Sequence, residues 1–218
     1  MCSDLFYEKR LYPVKSPQTR SPAFDHLRIS SWFPIQVIDT RGFSKHEQSG
    51  TSLINREEAN LALAIVRRLR NSRATVGTLC FYKAQAGHVS SRFAQVDAFG
   101  GTIDASQGQE YDVTIILTSR TSAFRNEART SKEAKDQEPD FIEDPQRINV
   151  ALTRTKSRCV ILTVVSAADI SPIWRGVLKR IPRAAKHNAH QIYDRLVERQ
   201  RLKGFYPFTS RCPKKVHR

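Results

Sequence analysis

The sequence has 218 residues and a formal charge of +15, from 36 Lys and Arg against 21 Asp and Glu. Hydrophobic residues make up 39%, which is enough for a folded core and excludes a wholly disordered chain. No apolar run approaches the ~18 residues of a membrane span, and four scattered cysteines without a C-x-x-C pair argue against a zinc site or a disulfide framework. We therefore expect a cytoplasmic or nuclear protein, no membrane contact, and a polyanionic partner, nucleic acid before membrane.

The positive charge is concentrated near the end of the chain. Residues 175–218 hold 13 basic and two acidic side chains, a net of +11, whereas residues 1–174 are close to balance at +4. Such a basic tail is either a nucleic-acid-binding arm or a solvated helix face with a frayed end, and the sequence leaves both open.

The first residues of the chain show no sustained hydrophobic periodicity. We expect an irregular entry segment over residues 1–34 with a short strand at 27–29. An apolar strand is expected over 34–39, followed by a polar loop over 40–50.

A helix should follow this loop. Asn55 is a good N-cap, Glu58 completes a pattern like a capping box, and apolar residues then repeat on one face as far as Leu69.

Strands and helices alternate from there on. Residues 112–118 are apolar on both faces, which is typical of a parallel strand that helices cover on each side. Residues 122–140 are charged and predict an exposed excursion. The alternation predicts an α/β fold with a mainly parallel sheet. Further strands are expected at 75–81 and 157–164, and helices at 84–93, from Asp144-Pro145, at 172–181 and at 187–203.

A polar segment precedes the apolar strand at 112–118. In an open α/β sheet such loops bind ligands. Gly108 would let backbone N–H groups approach an anion, and Asp104 and Glu110 could accept hydrogen bonds from sugar hydroxyls or orient a cation. The same pattern also fits an ordinary turn.

The helix after Asp144 carries two arginines. Arg147 and Arg154 are seven residues apart, so they share a face about 10 Å apart along the axis. Ile148 and Leu152 should anchor the helix to the sheet. Two such guanidinium groups either bind phosphate oxygens or pair with nearby carboxylates.

These two segments resemble motifs V and VI of superfamily 1 helicases, most closely the up-frameshift and Sen1-like subgroup (the DNA2/NAM7 type). The match to motif V is TIDASQGQEYD (residues 102–112), and the match to motif VI is QRINVALTR (146–154). Supporting segments in the same order are NREEA (55–59), FYKAQ (81–85) and FIEDP (141–145).

The resemblance implies a three-layer RecA-like domain of the P-loop NTPase type, the second of two such domains in a helicase. It implies an irregular segment over 1–34, the RecA-like domain over 35–168, and a basic, partly helical extension over 169–218. It also assigns roles. Arg154 would be an arginine finger; Gln107, Gly108, Glu110 and Arg147 would face ATP; Tyr82, Gln85 and Ser106 would lie toward single-stranded RNA or DNA.

The sequence contains no G-x-x-x-x-G-K-[ST] segment and no acidic Walker B pair. ATP with Mg²⁺ is therefore expected only in a composite site with a first RecA-like domain in cis or in trans, and no metal ligands are expected in this chain. The isolated polypeptide should show negligible ATPase activity. The alternatives are a non-catalytic nucleic-acid-binding remnant of such a helicase and, less favoured, a structural interaction domain.

Overall fold

Eight strands lie in the part of the chain that the computed structural model describes, which is residues 33–41, 47–49, 52–96, 98–121 and 141–201. Six of them form one sheet in which all neighbours are parallel. The strands are β1 (Ile35–Asp39), β2 (Glu47–Ser49), β3 (Ser52–Ile54), β4 (Val76–Cys80), β5 (Phe99–Thr102), β6 (Tyr111–Leu117), β7 (Thr155–Thr163) and β8 (Lys186–Asn188). The order in the sheet is β5-β4-β6-β7-β1-β8, and β2 and β3 form a separate antiparallel pair.

Helices cover both faces of this sheet. They are α1 (Arg56–Leu69), α2 (Lys83–Phe93), α3 (Pro145–Thr153), α4 (Val165–Ala168), α5 (Pro172–Arg180) and α6 (Ala189–Arg201). Neighbouring strand residues alternate between two hydrophobic clusters: Ile115 packs in the cluster with α1, α2 and α6, and Ile116 in the cluster with α3, α4 and α5. The predicted three-layer α/β fold with a parallel sheet is confirmed. None of the described helices is long and apolar enough to cross a membrane.

Helix α1 begins where its capping residue predicts. The side chain of Asn55 accepts a hydrogen bond from the backbone N–H of Glu58 at 3.1 Å, which satisfies a donor that the first turn leaves free. The apolar residues that repeat along the helix are buried, and Arg67 and Arg70 are exposed. The predicted helix is confirmed.

Helix α3 also begins at its predicted cap. The carboxylate of Asp144 accepts hydrogen bonds from the N–H groups of Gln146 and Arg147, and Pro145 occupies the first turn. Ile148 and Leu152 are buried against the sheet, as expected. The strands and helices expected at 34–39, 75–81, 84–93, 112–118, 157–164, 172–181 and 187–203 all appear with small shifts of their ends.

Several elements were not predicted. Strand β2 lies within the residues interpreted as a polar loop, and β5 and β8 have no counterpart among the predicted strands. Strand β8 pairs with β1, and Ala189, Ile192 and Leu196 of α6 are buried in the core. Packing therefore continues across the boundary predicted after residue 168. The strand expected at 27–29 and the excursion at 122–140 lie outside the described residues.

Candidate functional site

The candidate residues divide between two edges of the sheet. Because the six strands are parallel, all their carboxyl ends lie at one edge and all their amino ends at the other. Thr102, at the end of β5, is level with Leu117, since both pair with Cys80. Tyr111 starts β6 six residues before Leu117, about 20 Å away at ~3.3 Å per residue. The segment 103–110 thus runs from the carboxyl edge to the amino edge.

At the amino edge, Arg154 meets the end of this segment. The backbone N–H of Tyr111 donates to the carbonyl oxygen of Arg154 at 2.9 Å, and a guanidinium N–H of Arg154 donates to the carbonyl oxygen of Gln109 at 3.4 Å. Arg154 lies between the last residue of α3 and the first residue of β7. The structure therefore brings the two predicted segments together at this point.

Two features of this place suit an anion. Gly108 has φ +79, and a Cβ built on it would meet no atom within 4 Å, so its backbone borders open space. The Nε of Arg154 is buried and has no hydrogen-bond partner within the described part of the chain. Gln107 and Glu110, on either side of Gly108 in sequence, are both exposed. An unsatisfied cationic donor beside an accessible glycine backbone is chemically suited to phosphate oxygens.

Arg147 lies in different surroundings. Its Nε is 3.3 Å from one carboxylate oxygen of Asp104, its Nη2 is 3.3 Å from the other, and Asp144 is 3.9 Å away. Of the two alternatives that the sequence left open for this residue, the structure shows the carboxylate pair. Arg147 lies with Asp104, which follows the end of β5 at the carboxyl edge, and Arg154 with Gln109 at the amino edge.

A cavity of about 450 Å³ opens at the carboxyl edge. Lys83, in the first turn of α2, is its exposed cation, and Asp104 and Arg147 form part of its wall. Its volume lies within the range of ordinary ligand pockets. The lining residues are Ser52, Phe81, Tyr82, Lys83, Thr102, Ile103, Asp104 and Arg147.

Tyr82 connects this cavity to a second charged pair. Its phenol is hydrogen-bonded to Arg120, and burial raises the pKa of the phenol above its ordinary value. Arg120 in turn lies 3.7 Å from the carboxylate of Glu143. The side chain of Tyr82 is therefore fixed as one wall of the cavity.

The other two residues predicted to face nucleic acid are turned inward. Gln85 is fully buried, accepting a hydrogen bond from the N–H of Asn55 at 2.7 Å and donating one to its carbonyl oxygen at 3.0 Å. Ser106 is fully buried and donates to the carbonyl oxygen of Ile103 at 2.6 Å. Of the three predicted residues, Tyr82 alone lines the carboxyl-edge cavity.

A larger cavity of about 990 Å³ lies at the amino ends of β4 and β5. Its lining includes Arg70, Arg73 and the stacked rings of Phe99 and Tyr111, whose centroids are 5.5 Å apart. None of the site residues predicted from the sequence lines it, so the smaller cavity is the better candidate for the predicted chemistry.

The site residues named from the sequence included neither Lys83, which lies within the matched segment 81–85, nor Arg120. Both follow closely on buried strands, β4 and β6, and ligands in parallel α/β sheets bind beyond the carboxyl ends of strands. That rule was available from the sequence and would have identified them. Among the described residues, no group of three or more His, Cys, Asp or Glu side chains could hold a metal ion.

Comparison with known proteins identifies the family. The AAA domain family matches residues 1–166, more than half of the chain. The chain belongs to this family. Three relatives are an uncharacterized ATP-dependent helicase of Methanocaldococcus jannaschii (28% identical over 153 residues), regulator of nonsense transcripts 1 of Dictyostelium discoideum (25% over 157) and the 5'-3' DNA helicase ZGRF1 of Mus musculus (25% over 190).

These alignments cover 69%, 66% and 82% of this chain, but only 21%, 11% and 9% of the relatives' lengths. The chain thus spans about a fifth or less of each of them. The family match and the named relatives confirm the predicted resemblance to the C-terminal RecA-like domain of superfamily 1 helicases.

Proposed function

We propose that this chain acts as the second RecA-like domain of an ATP-dependent helicase in the cytoplasm or nucleus. In this proposal it supplies Arg154 and residues 107–110 to an ATP site that a first RecA-like domain completes. The observation that carries the proposal is the meeting of Arg154 with the carbonyl oxygen of Gln109, which joins the two segments similar to motifs V and VI.

Arg154 is the proposed catalytic residue. A guanidinium group beside the transferred phosphoryl group stabilises the negative charge that spreads over its oxygens, and such a group contributes ~10³–10⁵ in rate. The buried Nε without a partner in the described chain supports this role, because a ligand oxygen would satisfy it. The long contact to Gln109, at 3.4 Å, is weak enough to exchange for such an oxygen.

The neighbouring residues would bind ATP rather than react with it. The backbone at Gly108 is open to a phosphate, and the exposed side chains of Gln107 and Glu110 can accept hydrogen bonds from the ribose. Arg147 would act indirectly, by bracing Asp104 and the start of α3.

Mg²⁺ and the phosphate-binding loop would come from the first domain. The sequence contains no G-x-x-x-x-G-K-[ST] segment, and the described residues contain no cluster of metal ligands. This chain therefore supplies the arginine and the bordering backbone, and we expect it to hydrolyse ATP only together with the first domain.

Single-stranded RNA or DNA is the proposed partner of the carboxyl-edge cavity. The exposed ammonium group of Lys83 suits backbone phosphates, and the largely buried rings of Phe81 and Tyr82 form the apolar wall of the cavity beside it. Because the side chains of Gln85 and Ser106 are bonded internally, they would support this surface rather than contact the strand.

The alternative is a remnant that binds nucleic acid without hydrolysis. An experiment distinguishes the two functions: this chain is joined to a first RecA-like domain that carries a phosphate-binding loop, and the joined protein is mixed with single-stranded RNA and DNA. Turnover that nucleic acid stimulates only in the joined protein supports the helicase proposal. A joined protein that binds ATP and nucleic acid without turnover supports the remnant.

A further inference from the structure

A carboxyl group is buried close to the carboxyl-edge cavity but outside it. Glu58, in the first turn of α1, is fully inaccessible to solvent. One of its carboxyl oxygens accepts the backbone N–H of Ser119 at 2.9 Å, and the other lies 3.4 Å from the hydroxyl of Thr40. The group thus links α1 to the residues that follow β6 and β1.

The Ser119 contact stabilises an unusual backbone. Ser119 has φ +59, in the left-handed region that residues with a Cβ rarely adopt. Its N–H is buried, so it needs an acceptor, and the Glu58 carboxyl is that acceptor. This backbone conformation sets where Arg120, the next residue, leaves the sheet.

Two series of hydrogen bonds connect Glu58 to the wall of the cavity. Through Ser119 it fixes Arg120, which is hydrogen-bonded to Tyr82. Through its own N–H it binds the side chain of Asn55, whose backbone is paired twice with Gln85 in the first turn of α2.

We propose that Glu58 is a positioning residue for the nucleic-acid surface at the carboxyl edge, which it holds in shape through Ser119, Arg120 and Tyr82 without touching the strand. This inference rests on the proposed function, because it concerns the same cavity. It assigns to Glu58 a role beyond the capping of α1, which uses only its backbone N–H.

The chemistry at position 58 is specific enough to test. Glutamine can offer its Oε1 to the N–H of Ser119 and its Nε2 to the hydroxyl of Thr40, so Glu58→Gln should preserve the arrangement. Alanine removes the acceptor and leaves the Ser119 N–H unpaired. Leu69→Ala is the matched control, because Leu69 is fully buried at the other end of the same helix.

The experiment measures the affinity of the whole chain for fluorescently labelled single-stranded RNA and DNA, with circular dichroism to establish that each variant is folded. We expect Glu58→Ala to weaken binding about tenfold or more, and Glu58→Gln and Leu69→Ala to bind as the wild type does. In a double-mutant cycle, adding Arg120→Ala to Glu58→Ala should reduce the affinity little further, since both substitutions interrupt the same series of hydrogen bonds.

A second variant keeps the proposal testable if Glu58→Ala fails to fold. Glycine adopts positive φ readily, so Glu58→Ala with Ser119→Gly recovers stability without restoring the acceptor, and its affinity should remain low. A wild-type chain that binds neither strand would refute the proposed function. If the wild type binds but Glu58→Ala or the double variant binds equally well, the positioning role alone is refuted. The same holds if Leu69→Ala loses as much affinity as Glu58→Ala.

Discussion

The backbone N–H of Tyr111 donates to the carbonyl oxygen of Arg154 at 2.9 Å, which joins the first residue of β6 to the residue before β7. Both partners are backbone atoms, so substitution of the Arg154 side chain leaves this hydrogen bond in place. A change of function in an Arg154 variant would therefore report on the guanidinium group and not on the joining of the two strands.

Tyr111 also requires a glycine beneath its ring. A Cβ at Gly77 would lie 2.6 and 2.7 Å from two ring carbons of Tyr111, too close for any real contact. We expect Gly77→Ala to lower the free energy of unfolding by about 1–3 kcal/mol, because the ring must shift within a packed layer. Urea denaturation measures this.

Gly87 is the matched control. It lies within α2, and a Cβ there would meet nothing within 4 Å, so Gly87→Ala should raise the free energy of unfolding by about 0.5–1 kcal/mol. Equal effects of the two substitutions would contradict the packing of Tyr111 on Gly77.

The cap of α3 gives a second prediction about stability. Asp144 accepts hydrogen bonds from the N–H groups of Gln146 and Arg147 at 2.8 and 3.3 Å, so Asp144→Ala should cost about 1 kcal/mol. Asp144→Asn keeps an acceptor in the same place and should cost much less. If alanine and asparagine prove equally destabilising in thermal unfolding, the carboxylate does not act as a cap.

The buried carboxyl of Glu58 predicts a dependence of stability on pH. Burial raises its pKa from 4.5 to about 8, against the lowering effect of its hydrogen bonds to Ser119 and Thr40. Between these two values the folded chain keeps a proton that the unfolded chain has lost. The contribution of Glu58 is therefore complete below pH 4.5 and is lost as the pH rises through about 8, by at most ~1.4 kcal/mol per pH unit.

Glu58→Gln cannot titrate and should lack this component of the pH dependence. The measurement is the difference in unfolding free energy between the wild type and Glu58→Gln from pH 5 to 9. Taking the difference cancels the titration of groups that both proteins share, such as His187. A difference that stays constant over this range would show that Glu58 does not titrate in it.

Elements that are determined by residues close together in the sequence could be predicted from it. The cap at Asn55, the Asp144-Pro145 pair and the apolar run of β6 each act within a few residues, and each predicted its element correctly. Strands β5 and β8 could not be predicted in this way. The sequence of β5 is FGGT and that of β8 is KHN, and they are strands because β4 and β1 offer their backbone groups to them.

The candidate site shows the same division. The resemblance to motifs V and VI, which is read from the sequence alone, assigns residues 107–110 and Arg154 to one site. The contact of Arg154 with Gln109 agrees with that assignment. The burial of Gln85 could not be foreseen, because it depends on Asn55 30 residues away in another element. The ion pair of Arg147 likewise depends on Asp104, which only the fold brings near.

The basic end of the chain gives a prediction about salt. Deleting residues 175–218 would remove Val177, Leu178 and Ile192 from the core, so the informative deletion is 202–218, outside the described residues. If this tail contacts phosphates, its loss should reduce the slope of log affinity against log salt by ~0.7 for each contact removed. The residues concerned are Lys203, Arg211, Lys214, Lys215 and Arg218. An unchanged slope would favour a solvated tail that does not bind.

ATP turnover of the joined protein under nucleic-acid stimulation tests the proposed role of the Arg154 guanidinium group most directly. Arg147→Ala is the control, since it removes a guanidinium group from the other end of α3, where Arg147 forms partly exposed ion pairs with Asp104 and Asp144. We predict that Arg154→Ala lowers turnover by ~10³-fold or more with unchanged affinity for the single strand, and that Arg147→Ala has a much smaller effect. Turnover that survives Arg154→Ala, or that falls equally in both variants, would contradict the assignment of Arg154 as the arginine finger.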